Sequence, residues 1–163
     1  MKILFATSEC VPFIKTGGLA DVAGALPKEI VKSGADIRVM LPLYKQVPQK
    51  WRDQMEDVLY TYIDIGNRHE YAGIKSMKLF DVTYYFVDSE YYFGARPGAI
   101  YGDIDDGERF AFFSKACLDA MAIWGWIPDV IQCNDWQTAL VPTYLKAMYG
   151  HLFPSTRCMF TIH

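Results

Sequence analysis

Four short runs rich in apolar residues recur along the chain: KILFA at 2–6, DIRVMLP at 36–42, PDVIQCND at 128–135 and RCMFTIH at 157–163. Each is too short for a stable helix and is bounded by polar or turn-forming residues. Such runs read as strands covered on both faces, which is the habit of parallel sheets. Parallel strands need long crossovers, usually helical, and the segments between the runs supply them. Residues 18–33 set Leu19, Val22, Ala23, Leu26 and Ile30 along one helical stripe, with Pro27 a candidate kink and Gly34 a stop. In ERFAFFSKACLDAMAIWG, Phe110, Phe113, Cys117, Met121 and Trp124 fall at steps of three and four. WQTALVPTYLKAMYG reads as a further helix, with Asp135 a candidate N-cap and Gly150 a candidate C′ residue. The alternation predicts an α/β fold: a Rossmann-like, mostly parallel sheet with flanking helices and right-handed crossovers.

The middle of the chain reads differently. Residues 44–57 are polar with scattered aromatics and suggest a short helix or loop. The stretches 58–66, 71–80 and 82–89 are β-rich with turn residues between them, which predicts an antiparallel meander at the sheet edge. Residues 91–107, YYFGARPGAIYGDIDDG, read as a long loop, and loops of that length are usually functional.

With 163 residues, slightly over half of them apolar, the chain fits one domain or one large piece of a bigger enzyme. Sixteen basic against nineteen acidic residues give a net charge of −3, which argues against a nucleic-acid binder. No run is long enough to span a bilayer, and the N-terminus lacks the pattern of a secretory leader. Cys10, Cys117, Cys133 and Cys158 show no CxxC spacing and read as buried free thiols, the usage of a cytoplasmic protein. His69 and His151 have no partners at metal-ligand spacing, and no metal site is expected.

In open parallel sheets, ligands bind beyond the carboxyl ends of the strands. The first strand leads there to Glu9, Lys15, Thr16, Gly17 and Gly18, the strand at 129–133 to Asn134 and Asp135, and the last to His163. In KTGGLADV, glycines admit close approach to the backbone, a helix N-terminus attracts anions, and Lys15 adds a mobile positive charge. The stretch therefore suits a phosphate, or is a flexible turn with a solvated lysine. Asp21 is either a favourable charge at a helix N-terminus or an acceptor for sugar hydroxyls. Asp135 divides the same way between a cap and a substrate-facing carboxylate. The aromatic and acidic residues of 91–107 suit carbohydrate, or a packed surface loop.

SECVPFIKTGGLADVAGALPKEI, RVMLP, ERFAFFSKACLDA, PDVIQCNDWQTALVPTYLK and FTIH together resemble, in order, the N-terminal region of bacterial glycogen synthases and plant starch synthases. The resemblance covers nearly the whole chain and is weak only over about 44–80. It implies a retaining glucosyltransferase that moves glucose from ADP-glucose to the non-reducing end of an α-1,4-glucan, without a metal or other cofactor. It implies a fold of two Rossmann-like domains facing a cleft (GT-B), with residues 1–163 the truncated N-terminal domain and the C-terminal nucleotide-binding domain absent. Lys15, Gly17 and Gly18 then correspond to the donor phosphate and sugar site, Asp135 and His163 to residues at the transferred glucose, and Asp21 with Tyr92 or Phe93 to acceptor contacts. Asn134 stands where the family often has histidine. Two other readings compete. One is a glucan-binding module without chemistry. The other, a nicotinamide oxidoreductase, would require GxGxxG after the first strand, where the chain has KTGG.

Overall fold

The computed structural model describes residues 1–163. One seven-stranded sheet carries strands β1 (Lys2–Ala6), β2 (Asp36–Pro42), β3 (Glu56–Ile65), β4 (Arg68–Leu79), β5 (Val82–Asp88), β6 (Val130–Asn134) and β7 (Arg157–Thr161). Their order across the sheet is β3-β4-β5-β2-β1-β6-β7. β1 pairs in parallel with both β2 and β6, β2 with β5, and β6 with β7, whereas β4 is antiparallel to both β3 and β5. The expected mostly parallel sheet with an antiparallel edge is thus present. β3, β4 and β5 form the expected antiparallel meander at that edge, joined to the parallel strands through β5, whose second neighbour is β2.

The chain leaves β1 toward β2 and later returns to β1's other side as β6. That reversal leaves a crevice beyond the carboxyl ends of β1 and β6, where open α/β sheets bind ligands. Helix α1 (Gly18–Lys32) makes the first crossover and runs unbroken through the buried Pro27. It ends at Ser33, and Gly34 follows in the left-handed region at φ 84°, as expected of a residue just past a helix end. A four-residue helix, α2 (Gln49–Arg52), falls within the segment read as a short helix or loop. Helix α3 (Asp106–Trp124) makes the long crossover and buries Phe110, Phe113, Cys117 and Met121, as its spacing predicts.

The segment 136–150 is not one helix. It is a 3-10 turn (Trp136–Thr138), a short helix α4 (Leu140–Tyr144) and a π-helical turn (Leu145–Tyr149). Pro142 cannot donate a backbone hydrogen bond, and Gly150 has φ −54°, so it does not supply the expected left-handed cap. The segment 91–107 is also less loop-like than it reads. Its start belongs to a π-helical turn, Glu90–Gly94, and its end to α3. Cys10, Cys117 and Cys133 are buried free thiols and Cys158 is a half-buried one.

The excursion after β1 is pinned at two places. Phe13 packs edge-on against Trp51, Tyr84 and Phe86, with ring centroids 5.0–5.5 Å apart; burying such a ring contributes about 1.5–3 kcal/mol. Val11 lies directly on Gly24 of α1, and its amide donates to the Ala20 carbonyl at 3.0 Å. A methyl group at position 24 would fall 2.8 Å from the Val11 carbonyl oxygen as well as on its side chain.

Two measurements follow from this packing. Gly24→Ala, although a better helix former, should lower the unfolding free energy by about 1–3 kcal/mol in urea denaturation, because backbone cannot retreat as a side-chain tip does. Asp119 is the second. Burial raises its carboxyl pKa above the ordinary 3.8 despite the Tyr149 hydroxyl donating to it at 2.7 Å. The folded chain therefore holds this proton longer than the unfolded chain, and this group's contribution to stability falls as pH rises from about 4 through the raised value. Asp119→Asn keeps an acceptor for Tyr149 and should flatten that fall in a pH series of thermal unfolding.

Candidate functional site

The loop leaving β1 is organised around Glu9, which is 4% exposed. Its carboxylate accepts from the Thr16 amide at 2.5 Å, the Gly17 amide at 3.1 Å and the Thr16 hydroxyl at 3.0 Å. A buried carboxylate needs such donors, because desolvating it unpaired costs several kcal/mol. This alters the expectation for KTGG. The Gly17 amide points into its own protein and is satisfied by Glu9, whereas Gly18 is exposed at the start of α1 and its amide makes no such bond. Lys15 is half exposed, and its ammonium meets both Asp21 carboxylate oxygens at 2.7 Å. The lysine and the aspartate expected at separate subsites are therefore one ion pair over the first turn of α1.

The second group lies at the ends of β6 and β7. Asn134 is buried; its side-chain amide donates to the Ala6 carbonyl at 2.9 Å and its oxygen lies 3.0 Å from His163 Nε2. With the amide oriented by Ala6, the oxygen faces the imidazole, so the ring donates from Nε2. In the neutral ring Nδ1 is then left as the acceptor. Asn134 thus ties together the ends of β1, β6 and β7.

Asp135 has φ 58° and ψ −179°, a region almost reserved for glycine. Holding a residue with a side chain there costs about 1–3 kcal/mol. Four bonds hold it: its amide donates to Thr161 O at 2.9 Å, its carbonyl accepts from the Thr138 amide at 3.1 Å and the Thr138 hydroxyl at 3.2 Å, and its carboxylate accepts from the His163 amide at 2.7 Å. The carboxylate makes no bond to the following turn, so the capping alternative is not what its side chain does.

Tyr101 joins the two groups. Its hydroxyl donates to Ser8 at 2.6 Å, and its ring lies 6.1 Å from that of Trp136. Burial raises its pKa, and the nearby charges of Glu9 and Asp135 push the same way. The loop before α3 thereby joins the loop after β1 and the turn after β6, a convergence the sequence reading did not include.

Tyr92 and Phe93 are different. Both are fully buried: Tyr92 packs on Phe112 with centroids 4.5 Å apart and donates to Glu108 at 2.7 Å, and Phe93 packs edge-on against Tyr44. Neither presents a face to an acceptor, so the expectation of a glucan contact there does not carry forward. The apolar pair serves the core because Arg109 draws the segment inward. Arg109 is fully buried and donates to the Tyr92 carbonyl at 3.0 Å, to Asp106 at 2.5 Å and to Asp103 at 3.1 Å. Arg96 binds Asp105 through two nitrogens, at 2.6 and 2.8 Å, and Asp105 is held below the usual carboxylate range by that guanidinium. Each carboxylate of the 103–106 cluster thus meets a guanidinium of its own segment. Sequence reasoning missed Arg109 and the Ser8–Tyr101 bond. An arginine amid an apolar helical stripe, three residues after Asp106, was the available signal.

An apolar hollow of about 330 Å³ lies elsewhere, between α1 and the strands β1, β6 and β7. Its lining includes Ile3, Phe5, Leu26, Val130 and Met159 and has none of the polar groups described above.

The family model described as the starch synthase catalytic domain matches residues 2–163. Glycogen synthases of Anoxybacillus flavithermus and Lactococcus lactis are each 48% identical, over 165 and 168 residues; each alignment covers 100% of this chain, with 34% of the first relative and 35% of the second. The chain thus spans about a third of these relatives' length. A solved structure, the catalytic domain of starch synthase IV from Arabidopsis thaliana bound to ADP and acarbose, superposes with a TM-score of 0.88 at 28% identity, covering 99% of this chain and 33% of that one. A loop after β1 that opens α1 beside a lysine, a strained aspartate after β6, and a family match over nearly every residue lead to one conclusion: the chain belongs to the starch synthase catalytic domain family.

Proposed function

We propose that this chain is the N-terminal lobe of a two-lobed (GT-B), retaining glucosyltransferase that moves glucose from ADP-glucose to the non-reducing end of an α-1,4-glucan. The observation that carries the reading is Asp135, strained at the crevice with its carboxylate fixed beside His163. Strain of this size persists at functional sites because the surroundings over-determine it. The names of the similar proteins support the substrate class: relatives called glycogen synthase, and a starch synthase domain bound to ADP and acarbose.

In this reading Asp135 and His163 contact the transferred glucose. As the glycosidic bond to the diphosphate breaks, the sugar becomes oxocarbenium-like and the leaving phosphates gain negative charge. Carboxylate and imidazole groups steady the first change, and positive groups steady the second. Lys15 supplies one such charge after exchanging Asp21 for phosphate. That exchange costs little, since an exposed ion pair contributes about 0–1 kcal/mol. The Gly18 amide and the N-terminus of α1 provide the other attraction; Gly17 contributes by shape, its amide being held by Glu9. Asp21, released from Lys15, becomes free to accept from a sugar hydroxyl.

A second lobe from the longer polypeptide would face this edge, bind the base and ribose, complete the positive surround and exclude water on closure. The isolated chain is accordingly close to inactive. Free thiols and the absence of a membrane-crossing helix suit a cytoplasmic enzyme. The alternative of a glucan-holding module without chemistry is separated by assay: the longer protein should transfer radiolabelled glucose from ADP-glucose to glycogen. If it only co-sediments with glycogen, the enzymatic reading fails.

Two substitutions in the longer protein test the assignments. Lys15→Ala should raise the KM for ADP-glucose about 10- to 100-fold, the loss of a charge-assisted hydrogen bond, and leave the KM for glycogen unchanged. Asp135→Gly should cut transfer about 100-fold or more, while thermal unfolding of the 163-residue chain moves up or stays level because glycine relieves the strain.

A further inference from the structure

The outward face of the β3–β4 hairpin carries a row of aromatic rings that the functional site does not use. Tyr60, Tyr62 and Tyr71 are 66%, 50% and 45% exposed. Tyr62 stands opposite Tyr71, Tyr60 opposite Gly73 and Asp64 opposite His69, so these side chains share one face. The rings form a continuous surface. His69 stacks on Tyr62 at 5.0 Å and 5°, Tyr71 lies 6.0 Å from Tyr62, and Tyr60 and Tyr71 are stacked at 6.1 Å and 22°. Gly73 permits this. A methyl group there would lie 2.7 Å from the Tyr71 hydroxyl oxygen and 3.0 Å from its ring, so the missing side chain lets Tyr71 lie down beside Tyr60.

We propose that this row is a second glucan-binding surface, separate from the crevice, on which an α-glucan chain lies along the ring faces. The inference rests on the reading above that the enzyme's acceptor is an α-glucan. Sugar rings present C–H faces to the negative faces of aromatic rings, and their hydroxyls bond to tyrosine hydroxyls and flanking polar groups. The charge of the patch fits a neutral polyol. Lys75 is paired with Asp57 at 2.5 Å and Asp88 at 3.8 Å, His69 with Asp64 at 2.6 Å, and Lys115 donates to the Asp64 carbonyl at 2.7 Å, so the cations beside the rings are engaged and interspersed with carboxylates rather than arrayed as a positive groove. Single-stranded nucleic acid, the other ligand of stacked aromatics, needs a positive groove beside them. Pairing with a second copy along β3 is opposed by the bulge between Asp57 and Leu59 and by the carboxylates of Glu56, Asp57 and Asp64.

The placement also fits. β4 is antiparallel to its two neighbours, so β3 runs parallel to β5, and the row's His69 end lies at the same sheet edge as the crevice. At about 4.8 Å per strand, β3 is about 19 Å from β1. Such a surface would hold a large glucan near the crevice without touching the reacting sugar.

The test is glycogen affinity electrophoresis of the 163-residue chain, with Tyr60→Ala/Tyr62→Ala and Gly73→Val variants whose folding is checked by circular dichroism. Retardation by glycogen that falls at least tenfold in both variants supports the proposal. Undiminished retardation in the double variant, no retardation of the parent chain, or equal retardation by poly(dT) overturns it. In the longer protein, the double variant should raise the KM for glycogen and leave transfer to maltotriose unchanged. If transfer occurs but no KM moves, the second surface is wrong and the transferase reading stands. If no transfer occurs at all, that reading fails, and the electrophoresis still decides the surface.

Discussion

Hydrogen bonding along both edges of β1 is the constraint on which the site depends. β1 is flanked by β2 and β6, both parallel to it, and the chain reaches those neighbours by crossovers that lead in opposite directions. The loops after β1 and β6 must then part above it, and the polar residues they carry face a shared opening. Asn134 makes the arrangement specific by bonding to Ala6 at the end of β1 and to His163 beyond β7. A buried amide that lost either partner would leave polar groups unsatisfied.

The same economy governs the charges. Glu9 is buried because three donors from its own loop meet it, and Arg109 is buried because carboxylates and carbonyls of residues 92–106 surround it. Each is a polar staple beneath a surface loop. Lys15, by contrast, has only an exposed partner. The deep ions set the shape, and the shallow pair sits at the surface, where water competes for both partners.

How much of this could be read from residues alone depends on the range of the interactions. KILFA and DIRVMLP declare strands because burial on two faces leaves a local pattern, and the stripe from Leu19 to Ile30 declares α1 for the same reason. Gly34 and its left-handed φ were also a local matter. The failures are long-range. Tyr92 and Phe93 look like sugar contacts in YYFGARPG, and only Arg109, sixteen or more residues away, reveals that their segment folds inward. Gly17 looks free for a ligand until Glu9 reaches back across seven residues of loop. The strain at Asp135 has no compositional trace, since aspartate after a strand is equally at home as a cap. Residue types and order named the candidate residues; which of them are already committed to partners was decided by contacts that no spacing encodes.

The tight seating of Val11 on Gly24 bears on motion. Two surfaces meshed so closely, with Phe13 locked among three rings beyond them, leave the excursion after β1 no freedom to slide along α1. The backbone of Lys15, the Gly18 amide and the N-terminus of α1 are therefore held as one rigid body. Their mutual spacing is set by the packing of the fold alone, whatever the half-exposed Lys15 ammonium pairs with.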